Sequence, residues 1–137
     1  LALLCHKNGH EVTIWSIMKD EVEMLRTKRQ HETKLPGVIL PENIEITNDL
    51  KEGMADKDVL VLAVPSAFTR STARSMKAFL RPGQLIVNVA KGIEVDKSVS
   101  VNYAQKEAGH FSFNARPLSF QILLLIIYSF SCGILPE

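Results

Sequence analysis

Cysteine is scarce: Cys5 and Cys132 are the two in 137 residues, far apart, with no Cys-x-x-Cys pair and no histidine at metal-ligand spacing. That excludes a disulfide framework and an encoded zinc site, and a reducing, cytoplasmic setting is expected. A surplus of either charge is missing too, since sixteen Lys and Arg stand against fifteen Asp and Glu for a net +1. Binding to a phosphate backbone needs a clustered positive excess, so a dedicated nucleic-acid module is not expected. Long apolar runs are absent. The uninterrupted stretch in the tail, Ile122 to Tyr128, has seven residues, against the roughly 20 that span a bilayer as a helix. It reads as a buried strand or an irregular apolar tail, with no membrane span. Nothing before Gly9 has the basic start, apolar core and small-residue cleavage site of a signal peptide. The Gly-x-Gly-x-x-Gly turn that lays a pyrophosphate against a helix start occurs nowhere in the chain.

What is present is an ordinary globular balance, 46% hydrophobic and 23% charged, at the length of one domain. Leu1 to Asn8 reads as the last turns of a helix ending at Gly9, so the strand and glycine-rich turn that would open such a helix are expected upstream of Leu1. Val12-Thr13-Ile14-Trp15 suits a short strand, and Lys19 to Gln30 a helix with Asp20 in its first turn. Two prolines and a glycine between Leu35 and Pro41 require a loop or extended arm. Ile44 to Thr47 alternates like a half-exposed strand, and Asp49 can cap a helix from Leu50 to Met54. Val59 to Val64 is continuously apolar, as in a central parallel strand. Ser66 then caps a helix from Ala67 to Leu80, and Leu85 to Ala90 forms a second buried strand. Strands separated by helices of this length are βαβ units, so the expected fold is α/β, a doubly wound parallel sheet lacking its first strand and glycine-rich turn.

Ligands of such sheets bind outside the carboxyl ends of the strands. Trp15-Ser16-Ile17, Val64-Pro65-Ser66 and Ala90-Lys91-Gly92 qualify. Ser66 taken alone reads more simply as a helix cap. Lys91 follows a buried strand and precedes a glycine, a position that projects its amine into the crevice where a phosphate or carboxylate can pair with it; otherwise it is a solvated surface lysine. His6, His10, His31 and His110 are scattered and read as surface or capping residues. No Ser, Cys or carboxylate is spaced for a triad or an acid pair, and Trp15 and Met18 read as packing residues.

Asn8-Gly9-His10-Glu11-Val12-Thr13-Ile14-Trp15, Leu35-Pro36-Gly37-Val38, Leu62-Ala63-Val64-Pro65-Ser66 and Lys91-Gly92-Ile93-Glu94, in this order and spacing, resemble the amino-terminal domain of bacterial NAD(P)-dependent glycerol-3-phosphate dehydrogenase. The likeness covers roughly Leu1 to Asp96. It implies a cytoplasmic oxidoreductase that interconverts glycerol 3-phosphate and dihydroxyacetone phosphate with NAD or NADP, supplies phospholipid backbones, takes a small-molecule phosphate as substrate and acts as a homodimer. By resemblance Ser16 and Ile17 lie beside the adenine ribose, Pro65 and Ser66 beside the cofactor, and Lys91 contacts both the nicotinamide cofactor and the glycerol phosphate. Ile17 falls where relatives often carry Arg or His, which leaves the choice between NAD and NADP open. Ser16 and Lys19 remain for a 2′-phosphate, and no acid stands at the strand end to hold a free 2′-hydroxyl.

After Asp96 the agreement fades, and the family's substrate loop and catalytic helical domain have no counterpart. Residues 1–96 are therefore expected to form an NAD(P)-binding Rossmann-like domain truncated at its start. Residues 97–137 are then a divergent or frame-shifted continuation with an apolar tail, and no catalytic residue is assigned. The rivals are a non-catalytic remnant and another dehydrogenase of the same superfamily, the latter opposed by Lys91-Gly92-Ile93-Glu94.

Overall fold

The computed structural model describes residues 1–89 and three short strands at 93–94, 99–100 and 121–125. Helix α1 (Ala2–Lys7) stops at Asn8, and Gly9 follows at φ 83°, a left-handed conformation that glycine adopts without steric penalty. The Gly9 amide donates to the His6 carbonyl at 2.9 Å and the His10 amide to that of Cys5 at 3.2 Å, satisfying carbonyls the helix leaves open. The chain then enters β1 (Glu11–Trp15).

Helix α2 (Lys19–Lys28) ends before Gln30, where the sequence pattern had carried it, because Arg29 turns left-handed at φ 50°. That conformation is held by the Arg29 guanidinium, which donates to the carbonyls of Pro41 and Ile44, and by the Leu40 amide, which donates to the Arg29 carbonyl at 2.6 Å. Gln30 therefore belongs to β2 (Gln30–His31), which pairs antiparallel with β3 (Leu35–Ile39), so the proline-bearing arm is extended. After β4 (Glu45–Thr47), the Asp49 carboxylate accepts the Glu52 amide at 3.1 Å and starts α3 (Leu50–Met54), as its cap position predicts.

Next come β5 (Val59–Leu62), α4 (Ser66–Met76), a 3-10 turn at Lys77–Phe79 and β6 (Leu85–Asn88). The expected cap shifts by one residue: Pro65 is extended, with ψ 148°, and occupies the cap position, so Ser66 is the first helical residue. The Phe68 amide bonds the Pro65 carbonyl at 2.9 Å to close the first turn. β7 (Ile93–Glu94) and β8 (Val99–Ser100) form a separate antiparallel pair, and β9 is Gln121–Leu125.

The main sheet has five strands in the order β4-β1-β9-β5-β6, every neighbouring pair parallel. Alternating side chains send β1 and β5 into two cores. Val12, Ile14 and Val61 pack with Ala2 of α1, Val22 and Leu25 of α2, and Ile46. Trp15, Leu60 and Leu62 pack on the other face with Met54 of α3, Met76 of α4, and Ile86. Helices on both faces of a parallel sheet make this a doubly wound α/β fold.

One expectation needs correction. β6 is not buried on both sides: Ile86 is enclosed, but Leu85, Val87 and Val89 are between 37% and 44% exposed. β6 stands at the sheet's edge, and the core that α1 and α2 make on that face reaches β5 at Val61 but includes no residue of β6. The apolar tail, in turn, contributes a central strand of this sheet.

Candidate functional site

The strand order reverses in the middle of the sheet. From β1 the chain passes through α2 outward to β4, then crosses through α3 to β5 and through α4 outward to β6. The helices also change face at this crossing, since α2 belongs to one core and α3 and α4 to the other. Such a switch point opens a crevice at the carboxyl ends of the central strands, here β1, β9 and β5. A larger cleft of about 500 Å³, lined by His6, His10, Glu11, Asn43, Glu45 and Lys57, lies where β1, β4 and β5 begin, at the opposite end of the sheet.

Past the carboxyl end of β1 the chain builds a buried polar cluster. Ser16 is fully enclosed; its hydroxyl donates to Glu21 Oε2 at 2.6 Å and accepts the Met18 amide at 3.2 Å, which fixes the turn into α2. The other carboxylate oxygen, Glu21 Oε1, meets His31 Nε2 at 3.1 Å and Lys34 Nζ at 3.2 Å. His31 Nδ1 in turn accepts the Lys34 amide at 3.2 Å, which assigns the proton on Nε2 and makes His31 a donor to Glu21. A small apolar cavity of about 100 Å³ adjoins the cluster, walled by Leu25 of α2 and Leu35, Val38 and Leu40 of the arm.

This cluster corrects one expectation. His31 is 8% exposed and not a surface or capping histidine, because β2 folds back against the start of α2. Glu21, the acid that Ser16 bonds past the end of β1, lies in the first turn of α2 with both its oxygens engaged within the protein, so it offers no acceptor for a free 2′-hydroxyl. The three residue types of a nucleophilic triad meet here without its geometry, since Ser16 bonds the carboxylate and not the imidazole. Glu21, His31 and Lys34 escape a reading of spacing alone because the ladder between β2 and β3 brings them together. The usable signal is Glu21 in the first turn after a strand-ending serine, where a helix start favours an acid.

Among the residues expected to bind cofactor, Ser16 serves the cluster, while Ile17 is 59% exposed beside it. Met18 is 51% exposed, contrary to a packing role, because it precedes the first turn of α2 and points away from both cores. Trp15 packs as expected and donates from Nε1 to the Asn48 carbonyl at 3.1 Å. Pro65 lies across the crevice beyond the end of β5, with Ser66 opening α4. Lys91 lies outside the described residues.

A family model described as the N-terminus of NAD-dependent glycerol-3-phosphate dehydrogenase matches residues 1–110. The chain belongs to this family. The glycerol-3-phosphate dehydrogenase [NAD(P)+] of Fusobacterium nucleatum is 55% identical over 96 residues, covering 70% of this chain and 29% of the relative. That of Agathobacter rectalis is 52% identical over 102 residues, covering 74% and 30%. The chain thus spans about three-tenths of the length of these curated relatives. Among solved structures, one of the glycerol-3-phosphate dehydrogenase from yeast matches with a TM-score of 0.58 over 69% of this chain and 29% of its own, at 22% identity, a likeness of fold. That from Dunaliella salina matches with a TM-score of 0.54 over 61% of this chain and 15% of its own, at 26% identity.

Glycerol-3-phosphate dehydrogenases of this family are NAD(P)-dependent, and the crevice can be tested against that cofactor. A dinucleotide laid over the switch point needs backbone amides from a glycine-rich turn directly after the central strand. The central strand here is β9, and the sequence that follows Leu125 is Ile126-Ile127-Tyr128-Ser129-Phe130, with no glycine before Gly133. The exposed Ile17 and Met18 suit an adenine face, and among the described residues no glycine-rich turn stands at the phosphate end.

Proposed function

We propose that residues 1–96 are the nucleotide-binding unit of an oxidoreductase that interconverts sn-glycerol 3-phosphate and dihydroxyacetone phosphate with NAD or NADP, in the cytoplasm and for glycerophospholipid synthesis. Residues 97–137 are a continuation, of which Gln121–Leu125 adds a strand to the sheet of that unit. The observation that carries this reading is the reversal of strand order between β1 and β5; Ser16 and Ile17 follow β1 and Pro65 and Ser66 follow β5, at the carboxyl ends where such sheets take their ligands. The membership of the chain in the family supplies the chemistry.

The cofactor, when bound, supplies the hydride, and the protein's share is positioning and charge. Ser16, held by Glu21, fixes the turn on which Ile17 and Lys19 face the adenosine end. Pro65 and Ser66 border the middle of the cofactor. Lys91 pairs with the substrate phosphate and reaches the nicotinamide end, a charge-assisted contact of the kind that orients phosphates. The whole enzyme acts as a homodimer on a small phosphate ester, with its acid supplied from outside these residues. No helix among the described residues is long and apolar enough to cross a membrane.

The place of β9 at the switch point favours a second reading, a remnant without catalytic function. A chimera separates the two: the matching segment of the Fusobacterium nucleatum enzyme is replaced by Leu1–Asp96, leaving that enzyme's preceding strand and following domain in place. Oxidation of NADH or NADPH by dihydroxyacetone phosphate within about tenfold of the unmodified enzyme is the expected result. A folded chimera with less than about 1% of that kcat/KM contradicts the enzyme reading.

A further inference from the structure

The middle of the sheet holds one strand position, and the chain's own tail is in it. Ile122, Leu123, Leu124 and Leu125 each have partners on both sides: Val12, Thr13, Ile14 and Trp15 of β1, and Val59, Leu60, Val61 and Leu62 of β5. Both pairings are parallel, so the carboxyl end of β9 faces the same crevice as those of β1 and β5. Among the described strands β9 alone joins the pair β4 and β1 to the pair β5 and β6, and isolated two-stranded ladders are marginal in water. Completing the sheet is therefore a strong drive to keep the position filled, by the same strand addition that binds peptides to open sheet edges.

The same position is the one a dinucleotide requires. A parallel strand joined to β1 through the short helix α1, which packs on β1, takes the usual place for such a connection, beside β1. One side of β1 is taken by β4, so such a strand would need the place of Gln121–Leu125. Its turn into α1 would then present amides to a pyrophosphate at the switch point, whereas β9 is followed in sequence by Ile126 and Ile127. We infer that Gln121–Leu125 is a self-inserted strand in the place that a dinucleotide-binding strand before α1 would take, so that its occupancy of the central position and dinucleotide binding exclude each other. The inference rests on the nucleotide-domain reading above and adds to it a competition for one place in the sheet.

Two proteins test it, with hydrogen exchange of the 121–125 amides and calorimetric titration with NADH as readouts. The first is the 137-residue chain itself. Its 121–125 amides should exchange at least about 100-fold more slowly than an unstructured peptide, and NADH should give no saturable heat up to about 1 mM. The second is the chain extended before Leu1 by an apolar five-residue strand and a Gly-x-Gly-x-x-Gly turn, and carrying Leu123→Pro to remove the competitor. It should bind NADH at least about tenfold more tightly than that limit while 121–125 exchanges freely. Free exchange at 121–125 in the first protein, or NADH binding there at about 10 μM with the strand still protected, overturns the inference alone. A second protein that is folded by circular dichroism but takes up no NADH refutes the nucleotide-domain reading, and the inference with it.

Discussion

Replacing Glu21 by alanine tests whether the cluster beyond β1 is a structural anchor. The carboxylate side chain is 7% exposed and is shared by two buried partners, the Ser16 hydroxyl at 2.6 Å and the His31 imidazole at 3.1 Å. Each is a hydrogen bond to a charged group, worth about 1.5–3 kcal/mol, and its loss leaves a buried donor unpaired. The third partner, Lys34, is 30% exposed, so its ion pair adds about 0–1 kcal/mol. Releasing a desolvated carboxylate offsets part of the sum, which leaves a net loss of about 3–5 kcal/mol. For a chain of this length that lowers Tm by about 10–15 °C. Glu21→Gln, which keeps an acceptor for Ser16 and nearly the same shape, should lose about 1–2 kcal/mol. Urea unfolding followed by circular dichroism and by the fluorescence of Trp15, the single tryptophan, measures both. A double-mutant cycle of Glu21→Ala with His31→Ala should give a coupling above about 1 kcal/mol. A loss below about 1 kcal/mol for Glu21→Ala, or additive effects in the cycle, would refute the anchor.

Gly9→Ala should lower stability by about 1 kcal/mol through backbone strain alone, because φ is 83° and a Cβ there meets nothing within 4 Å; an unchanged urea midpoint would count against the left-handed turn. Leu60→Ala, at a fully buried position of β5, should cost about 2–5 kcal/mol, and Val87→Ala on the open face of β6 less than about 1 kcal/mol; similar losses would contradict the edge position of β6. In the chimera, Lys91→Ala should lower kcat/KM for glycerol 3-phosphate by about one to two decades with Tm unchanged, the loss of one phosphate ion pair. Activity within about a factor of two would remove Lys91 from the site, and activity falling together with Tm would make it structural.

The helix-to-strand junctions were legible because single residues decide them. Gly9 ends α1 by its positive φ, Asp49 caps α3 through its own carboxylate, and the prolines at 36 and 41 keep the arm extended. The run from Val59 announced a buried strand because hydrophobicity without alternation means two covered faces. The run from Leu85 looked the same and was not, since whether a neighbour covers the second face depends on where helices lie elsewhere in the chain. The cluster of Ser16, Glu21, His31 and Lys34 was hidden for a related reason. His31 and Lys34 reach Glu21 only because Arg29 turns left-handed and sends β2 back along α2, and an arginine gives no sequence signal for that turn. The tail was recognisable as an apolar segment able to form a strand, but its place between β1 and β5 is a long-range pairing that local pattern does not encode.

Gln121–Leu125 lies between β1 and β5, at the point where the strand order reverses. Nuclear Overhauser contacts of the Leu123 backbone in the labelled 137-residue chain read that position directly. The register predicts cross-strand contacts from Leu123 to Thr13 on one side and to Leu60 on the other, in the pattern of parallel strands. Contacts between β1 and β5 themselves, or an antiparallel pattern at Leu123, would contradict it.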